Sequence, residues 1–150
     1  MVATTHLVVG SAIGSQIDSP LLALILGVAS HHIFDFIPHL DYGDFCHKKN
    51  MSRTWLYIGA DVTIALVALI FFATSPAHQP GLLWGALGSL LPDIIDNNPL
   101  WMRYTRSWPV FKQHWQFHEF LHHKLKPNQW WLNIIIQATV ILLALAFIPY

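Results

Sequence analysis

Two long apolar stretches restrict the folds that this chain can adopt. The first runs from Trp55 to Thr74 and is interrupted only by Asp61, and the second runs from Trp130 to Ile148 without a charged residue. A helix needs about 20 predominantly apolar residues to cross a bilayer. Both stretches are therefore predicted to be membrane-spanning helices, which argues against a soluble fold.

Three further apolar segments raise this prediction to about five membrane helices. Residues 20–40 and 80–97 begin apolar and become polar towards their C-terminal ends, and residues 5–17 form a shorter segment rich in small residues. Ser19 followed by Pro20 is typical of a helix start, because serine caps the helix and proline fits its first turn. We expect an all-α, polytopic membrane bundle in which residues 1–150 form a single integral membrane domain.

The composition agrees with a membrane protein and excludes several other classes. Hydrophobic residues make up 54% of the 150 residues and charged residues only 11%, whereas soluble proteins carry about 25% charged residues. A formal net charge of zero argues against nucleic acid as a partner, and Cys46 as the single cysteine excludes a disulfide scaffold. The ten histidines outnumber the residues of either charge sign and require an explanation.

The basic residues predict the orientation of the chain. All eight lie in the polar loops that follow the second and fourth apolar segments: Lys48, Lys49, Arg53, Arg103, Arg106, Lys112, Lys124 and Lys126. Positive residues concentrate on the cytoplasmic side of a membrane, so these loops and the N-terminus are predicted to face the cytoplasm across a bacterial inner membrane. Residues 111–126, basic and rich in aromatic residues, are expected to form a cytoplasmic interfacial helix in contact with lipid.

The segments 20–41 and 80–99 share a pattern that is consistent with an internal repeat. At an offset of 61 residues, aligned pairs are Leu26-Gly27 with Leu87-Gly88, His32 with Asp93, Asp35 with Asp96, and Pro38 with Pro99. Duplication and a chance match in a chain of low complexity both remain open.

Histidines and carboxylates cluster towards the predicted cytoplasmic side. An ionisable group inside a membrane helix costs on the order of a few kcal/mol, so it requires a partner or a function. The spacing of His31, Asp35 and His39 places them on one helical face, and glycines four and eight residues after His6 would let its helix approach its neighbours and turn His6 inwards. The candidate metal ligands are His6, His31, Asp35, His39, Asp93, Asp96, His114, His118 and His122.

Imidazole and carboxylate together form the ligand set of zinc, and they also suit iron and manganese. The candidates outnumber the ligands of one zinc ion, so one or two divalent ions are expected, with a carboxylate bridging in the second case. Paired metals about 3.5–4 Å apart are typical of enzymes that hydrolyse phosphate esters. Glu119 lies between His118 and His122 in an H-E-x-x-H motif and is the candidate catalytic base.

These motifs resemble the YdjM-like family of small bacterial membrane-bound, metal-dependent hydrolases. The matching strings are THLVVGSAIG, SHHIFDFIPHLD, GSLLPDIID and a late histidine cluster. The resemblance implies that His6 is the family's early histidine, that residues 91–96 match its L-P-D-x-D element with one extra residue, and that His118 and His122 match its late histidine pair. The H-x-x-x-D spacing of residues 31–35 is also similar to that of zinc-dependent phospholipase C folds.

We therefore expect a membrane-bound metal-dependent hydrolase that acts on a phosphoester of a lipid or lipid-linked headgroup at the cytoplasmic membrane surface. Two alternatives remain open. A membrane metalloprotease would use His118, Glu119 and His122 alone, and an accessory subunit of a larger membrane complex would use the histidines and aspartates as structural contacts. A cation transporter is disfavoured because it needs polar groups on both sides of the membrane midplane. The sequence leaves open the metal, the substrate and the oligomeric state, a homo-oligomer included.

Overall fold

The computed structural model describes residues 1–41, 51–74, 80–98 and 100–149, without the side chains of residues 51 and 53. The helices are α1 (Ala3–Gly14), α2 (Pro20–Asp35), α3 (Met51–Thr74), α4 (Pro80–Asp96), α5 (Met102–Thr105), α6 (Pro109–Leu121) and α7 (Trp130–Leu145), the last preceded by a 3-10 turn at Pro127–Gln129. Within these ranges no strand is formed, so the predicted all-α class is confirmed. Cys46, Lys48, Lys49 and Pro99 lie outside the described residues.

Two of the described helices are long and apolar enough to cross a membrane. These spans are Thr54–Thr74, with 21 residues, and Pro127–Leu145, with 19 residues. The helices α1, α2 and α4 contain 12, 16 and 17 residues, fewer than the about 20 that a span requires. The prediction of about five membrane helices is therefore not supported. The reason is that α2 and α4 each end at an aspartate, so the polar residues that follow do not extend them.

The helix α1 lies at the centre of the bundle, in contact with α2, α3, α4 and α7. Gly10 and Gly14 pack so closely against Gly85 and Gly81 of α4 that a Cβ atom at either position would collide with backbone oxygen. Small residues at such contacts let helix backbones approach each other. This packing confirms the predicted close approach of α1 and puts His6 in the interior, where it is 1% exposed.

Polar groups from α3 and α7 hold the start of α1. The backbone N–H of Thr4 donates to both carboxylate oxygens of Asp61 at 3.3 Å, and Thr5 Oγ1 donates to Gln137 Oε1 at 2.9 Å. The first N–H groups of a helix have no acceptor within the helix, so Asp61 satisfies one of them. Because His6 follows directly, these contacts also position its ring.

The outer faces of the bundle are apolar and exposed. Leu56 and Ile70 of α3 expose 69% and 63% of their surface, and Leu142 of α7 exposes 68%. Soluble monomers rarely carry large contiguous apolar patches. These faces suit contact with lipid hydrocarbon.

Candidate metal centre

The polar end of α2 forms the middle of the site. His31 and Asp35 lie one turn apart, and both are fully buried. The helix ends at Asp35, shortly before Pro38, which lacks an N–H and disfavours helical geometry in the residue before it. His39 then lies in an extended segment, where its N–H donates to the carbonyl of His123 at 3.0 Å. This pairing brings His39 beside the chain that leaves α6.

Asp35 is surrounded by histidines. Its Oδ1 atom lies 3.1 Å from His6 Nε2 and 3.7 Å from His39 Nε2. Its Oδ2 atom faces three further Nε2 atoms at 2.9, 3.2 and 3.7 Å, which belong to His118, His31 and His122. One buried carboxylate therefore lies within 4 Å of five imidazole nitrogens, and both of its oxygens take part.

Two of these imidazoles are anchored through their other ring nitrogen. The Nδ1–H groups of His31 and His39 donate to the backbone carbonyls of Ser89 at 2.7 Å and Ile37 at 2.8 Å. A carbonyl can only accept, so in the neutral ring the proton lies on Nδ1 and the lone pair on Nε2. Metal-binding histidines are usually oriented by an outer hydrogen bond of this kind.

Asp96, the last residue of α4, orients the histidines of α6. Its Oδ2 atom accepts hydrogen bonds from the Nδ1–H groups of His118 at 3.0 Å and His114 at 2.9 Å. Asp96 is fully buried, and Arg106 donates to its backbone carbonyl at 2.8 Å. Through its Oδ2 atom, Asp96 turns the Nε2 atom of His118 towards Asp35.

The candidate ligand atoms have the spacing of a metal site. In each of three groups they lie within 4.8 Å of one another: His6, His31 and Asp93; Asp35, His39 and His122; and His31, His32 and His118. Zinc binds nitrogen and oxygen at about 2.0–2.2 Å, which puts neighbouring ligands of one ion about 3.4 Å apart. The first two groups share no residue, and Asp35 contacts members of both, so this cluster could hold a metal ion.

His6 provides a further indication that the cluster fits a cation. Its buried Nε2 atom lies 3.1 Å from Asp35 Oδ1 but makes no well-directed hydrogen bond among the described residues, and its ring stacks on that of His31 with 4.0 Å between centroids. A buried polar atom without a partner is costly. A cation between His6 and Asp35 would satisfy this atom. The positively charged amino group of Met1 donates to Asp35 Oδ1 at 2.6 Å and lies 2.7 Å from His39 Nε2, so a metal ion bound by these two residues would have to displace it.

The H-E-x-x-H residues do not share one helix. The helix α6 ends at Leu121, and the backbone of His122 is extended, with φ −77° and ψ 102°. Glu119 is exposed, whereas His118 is buried. A metalloprotease presents both histidines on one helical face with the glutamate beside the metal, so the geometry here differs from that arrangement.

The pKa values of His118 and His122 are shifted in opposite directions. Burial disfavours a charge on His118, but its hydrogen bond to Asp35, the charge of Asp93 and its hydrogen bond to Asp96 outweigh burial and raise the pKa of His118 to about 9. Burial is the main cause that lowers the pKa of His122. A metal ion that binds His118 at neutral pH must therefore displace a proton.

Most of the residues predicted from the sequence meet in this cluster. Seven of the predicted residues lie together at and around Asp35: His6, His31, Asp35, His39, Asp93, His118 and His122. Asp96 and His114 are hydrogen-bonded to each other on the far side of His118. Glu119 is exposed and does not take part.

Contributors outside the predicted ligand set include His32, which belongs to one of the three ligand groups, and two further residues, Asp41 and Asn133. Asp41 Oδ1 lies 3.3 Å from His39 Nε2, and the H-x-D spacing is a signal that could have identified it. Asn133 Oδ1 accepts the backbone N–H of Leu40 at 2.8 Å. Asn133 stands inside an apolar stretch, where no local pattern marks its role.

No protein-family model matches this chain, and no curated protein or solved structure matches it significantly.

Proposed function

We propose that this protein is a membrane-bound metal-dependent hydrolase whose substrate is a phosphoester of a lipid or lipid-linked headgroup. One observation carries the proposal: Asp35 belongs to one group of candidate ligands, with His39 and His122, and also lies 3.1 Å from His6 and 3.2 Å from His31 of a second group that shares no residue with the first. Paired divalent ions are typical of phosphoester hydrolysis. Zinc is the preferred ion for this ligand set, with iron and manganese as alternatives.

Each residue of the centre has a defined role in this proposal. One ion would be held by His6, His31 and Asp93, with His118 as a further ligand because its Nε2 atom lies 3.1 Å from that of His31. A second ion would be held by Asp35, His39 and His122. Bound ions would lower the pKa of water to supply a nucleophile and would neutralise charge on the phosphate. Hydrogen bonds orient three of the imidazoles. The carbonyls of Ser89 and Ile37 accept from His31 and His39, and the carboxylate of Asp96 accepts from His118.

The substrate class follows from the position of the ligands along the chain. The helices α2 and α4, both shorter than a full membrane span, carry their ligands at their C-terminal ends, and we infer that this end of the bundle lies level with the lipid headgroups. We place this end on the cytoplasmic side of a bacterial inner membrane, with the N-terminus inside and the chain crossing more than once, because the basic loops follow the same ends. Membership of the YdjM-like family stays a prediction.

Elemental mass spectrometry of the detergent-purified, zinc-supplemented protein tests the centre. We expect about two ions per chain, and we expect their loss in Asp35→Ala. The matched control is Asp18→Ala, which removes an exposed carboxylate from the turn between α1 and α2 and should keep both ions. A wild-type protein that binds no metal would overturn the proposal and favour an accessory subunit.

Phosphate release from phosphatidic acid in mixed micelles tests the reaction. We expect turnover by the wild type and by Asp18→Ala, and only background release by Asp35→Ala. Glu119→Gln tests the candidate base: loss of turnover with both ions retained would support that role, and full turnover would remove Glu119 from the mechanism. Cleavage of a membrane peptide that depends on Glu119, without phosphate release, would favour the metalloprotease.

A further inference from the structure

An open pocket lies between the end of α2 and α6. It has a volume of about 370 Å³ and is lined by His32, Ile33, Phe36, Phe117 and Leu121. Pockets that bind small molecules measure roughly 300–1,000 Å³ and are mostly apolar with few polar groups. This pocket has that character, since His32 is its one polar lining residue.

His32 connects the pocket to the metal centre. The centroid of its ring lies 5.4 Å from the centroids of both His31 and His118. Within the described part of the chain, the Nδ1 atom of His32 is buried and has no hydrogen-bond partner. Buried polar atoms are nearly always paired, so this nitrogen, on a residue that lines the pocket, calls for a ligand atom.

We propose that the pocket binds the hydrocarbon chain of a lipid phosphate whose phosphate group lies at the metal centre, with Nδ1–H of His32 donating to an oxygen of the headgroup. This inference rests on the proposed function and specifies which part of the substrate the chain holds. Charge complementarity gives the orientation, because divalent ions attract the anionic phosphate. The apolar walls formed by Ile33, Phe36, Phe117 and Leu121 then receive the uncharged chain.

A second cavity is less suited to this role. It has a volume of about 300 Å³, lies between α1 and α7, and includes Val9, Ala12, Leu143 and Phe147 in its walls. None of the candidate metal ligands lines it, so a chain bound there would not adjoin the centre. Leu143 therefore provides a control position.

The test of the pocket is the affinity of two alkylphosphonates, octylphosphonate and butylphosphonate, for the zinc-loaded protein in amphipol. Calorimetry measures both affinities. These probes cannot be hydrolysed, so binding is scored whether or not the protein is a hydrolase. We expect octylphosphonate to bind at least about tenfold more tightly, because four additional methylene groups are buried. In Phe117→Asp and in Leu121→Asp the ratio of the two affinities should fall to about one, because a charged wall no longer favours the chain.

Matched variants locate the effect. Val110→Asp changes another exposed apolar residue of α6, 75% exposed, and should preserve the ratio, as should Leu143→Asp in the second cavity. His32→Ala should weaken both probes by about the same factor, roughly tenfold, because it removes a hydrogen bond to the charged headgroup. Zinc content verifies that each variant retains its centre.

Two results would overturn the proposal that this pocket binds the chain. One is an unchanged ratio of the two phosphonate affinities in both Phe117→Asp and Leu121→Asp, and the other is a ratio that falls to about one in Leu143→Asp instead.

The phosphonate measurements and the hydrolase assay can fail independently. The expected phosphonate ratios in a protein that releases no phosphate from phosphatidic acid would support the pocket and contradict the proposed reaction.

Discussion

Asp96 accepts a hydrogen bond from Nδ1–H of His118 at 3.0 Å, while the Nε2 atom of the same ring lies 2.9 Å from Asp35 Oδ2. One imidazole of α6 is thus held between carboxylates from α4 and α2. Both carboxylates are fully buried. This relationship makes α4 part of the support of a centre whose middle is formed by α2.

Removing this support should weaken metal binding without abolishing it. Asp96→Ala leaves the Nδ1 atom of His118 without its carboxylate, and loss of such an outer partner typically lowers metal affinity about 10–100-fold. A competition titration with a zinc-binding dye measures the change. Asp18→Ala is the control, and an affinity of Asp96→Ala equal to that of the control would contradict the orienting role of Asp96.

Zinc affinity should rise with pH across the neutral range. Hydrogen bonds to carboxylates and the charge of Asp93 raise the pKa of His118 to about 9, and a metal requires the neutral ring. Protons therefore compete with zinc below pH 9, so affinity falls as pH falls. Calorimetry at pH 7 in buffers with different ionisation enthalpies should reveal proton release on binding. Affinity and heat that are independent of pH and buffer would exclude His118 as a ligand.

The contact between α1 and α4 should tolerate no side chain at Gly10. A Cβ atom there would collide with the backbone oxygen of Gly85 and with Ser89, and overpacking of this kind costs about 1–3 kcal/mol. Gly10→Ala should therefore lower the thermal unfolding temperature in detergent. Gly59→Ala on α3 is the matched control, because a Cβ atom there meets no heavy atom within 4 Å and alanine favours a helix by up to about 1 kcal/mol. Equal unfolding temperatures for the two variants would show that α1 and α4 do not pack in this way.

Asn133 should stabilise the segment that carries His39. Its Oδ1 atom accepts the N–H of Leu40, which is 1% exposed, and a buried donor left without an acceptor costs about 1–3 kcal/mol. Asn133→Ala is expected to destabilise the protein by this amount in thermal or denaturant unfolding. Asn128→Ala, at an exposed position, should have little effect. Similar stability of both variants would mean that Leu40 finds another acceptor.

Local signals in the sequence were sufficient to predict the all-α class and a cluster of histidines and aspartates that could hold a metal ion. Ser19 caps α2 as expected, since its hydroxyl accepts the N–H of Leu22 at 3.4 Å, and the spacing of His31 and Asp35 correctly placed both on one buried face. The prediction that His39 shares this helical face was wrong, because α2 ends at Asp35. The number of membrane-crossing helices could not be predicted in the same way. Apolar composition extends past the point where α2 ends, and helix length rather than composition decides whether a segment can cross a bilayer.

The sequence by itself determined which side chains are available as ligands and which of them share a helical face, because these properties depend on residues a few positions apart. Only the tertiary structure decided how the ligands are grouped. Asp35 and His118 are 83 residues apart in the chain, and no spacing rule reaches that far. Their contact depends on the extended pairing of His39 with His123 and on the support of α6 by Asp96. Packing therefore made Asp35 the carboxylate between two sets of histidines.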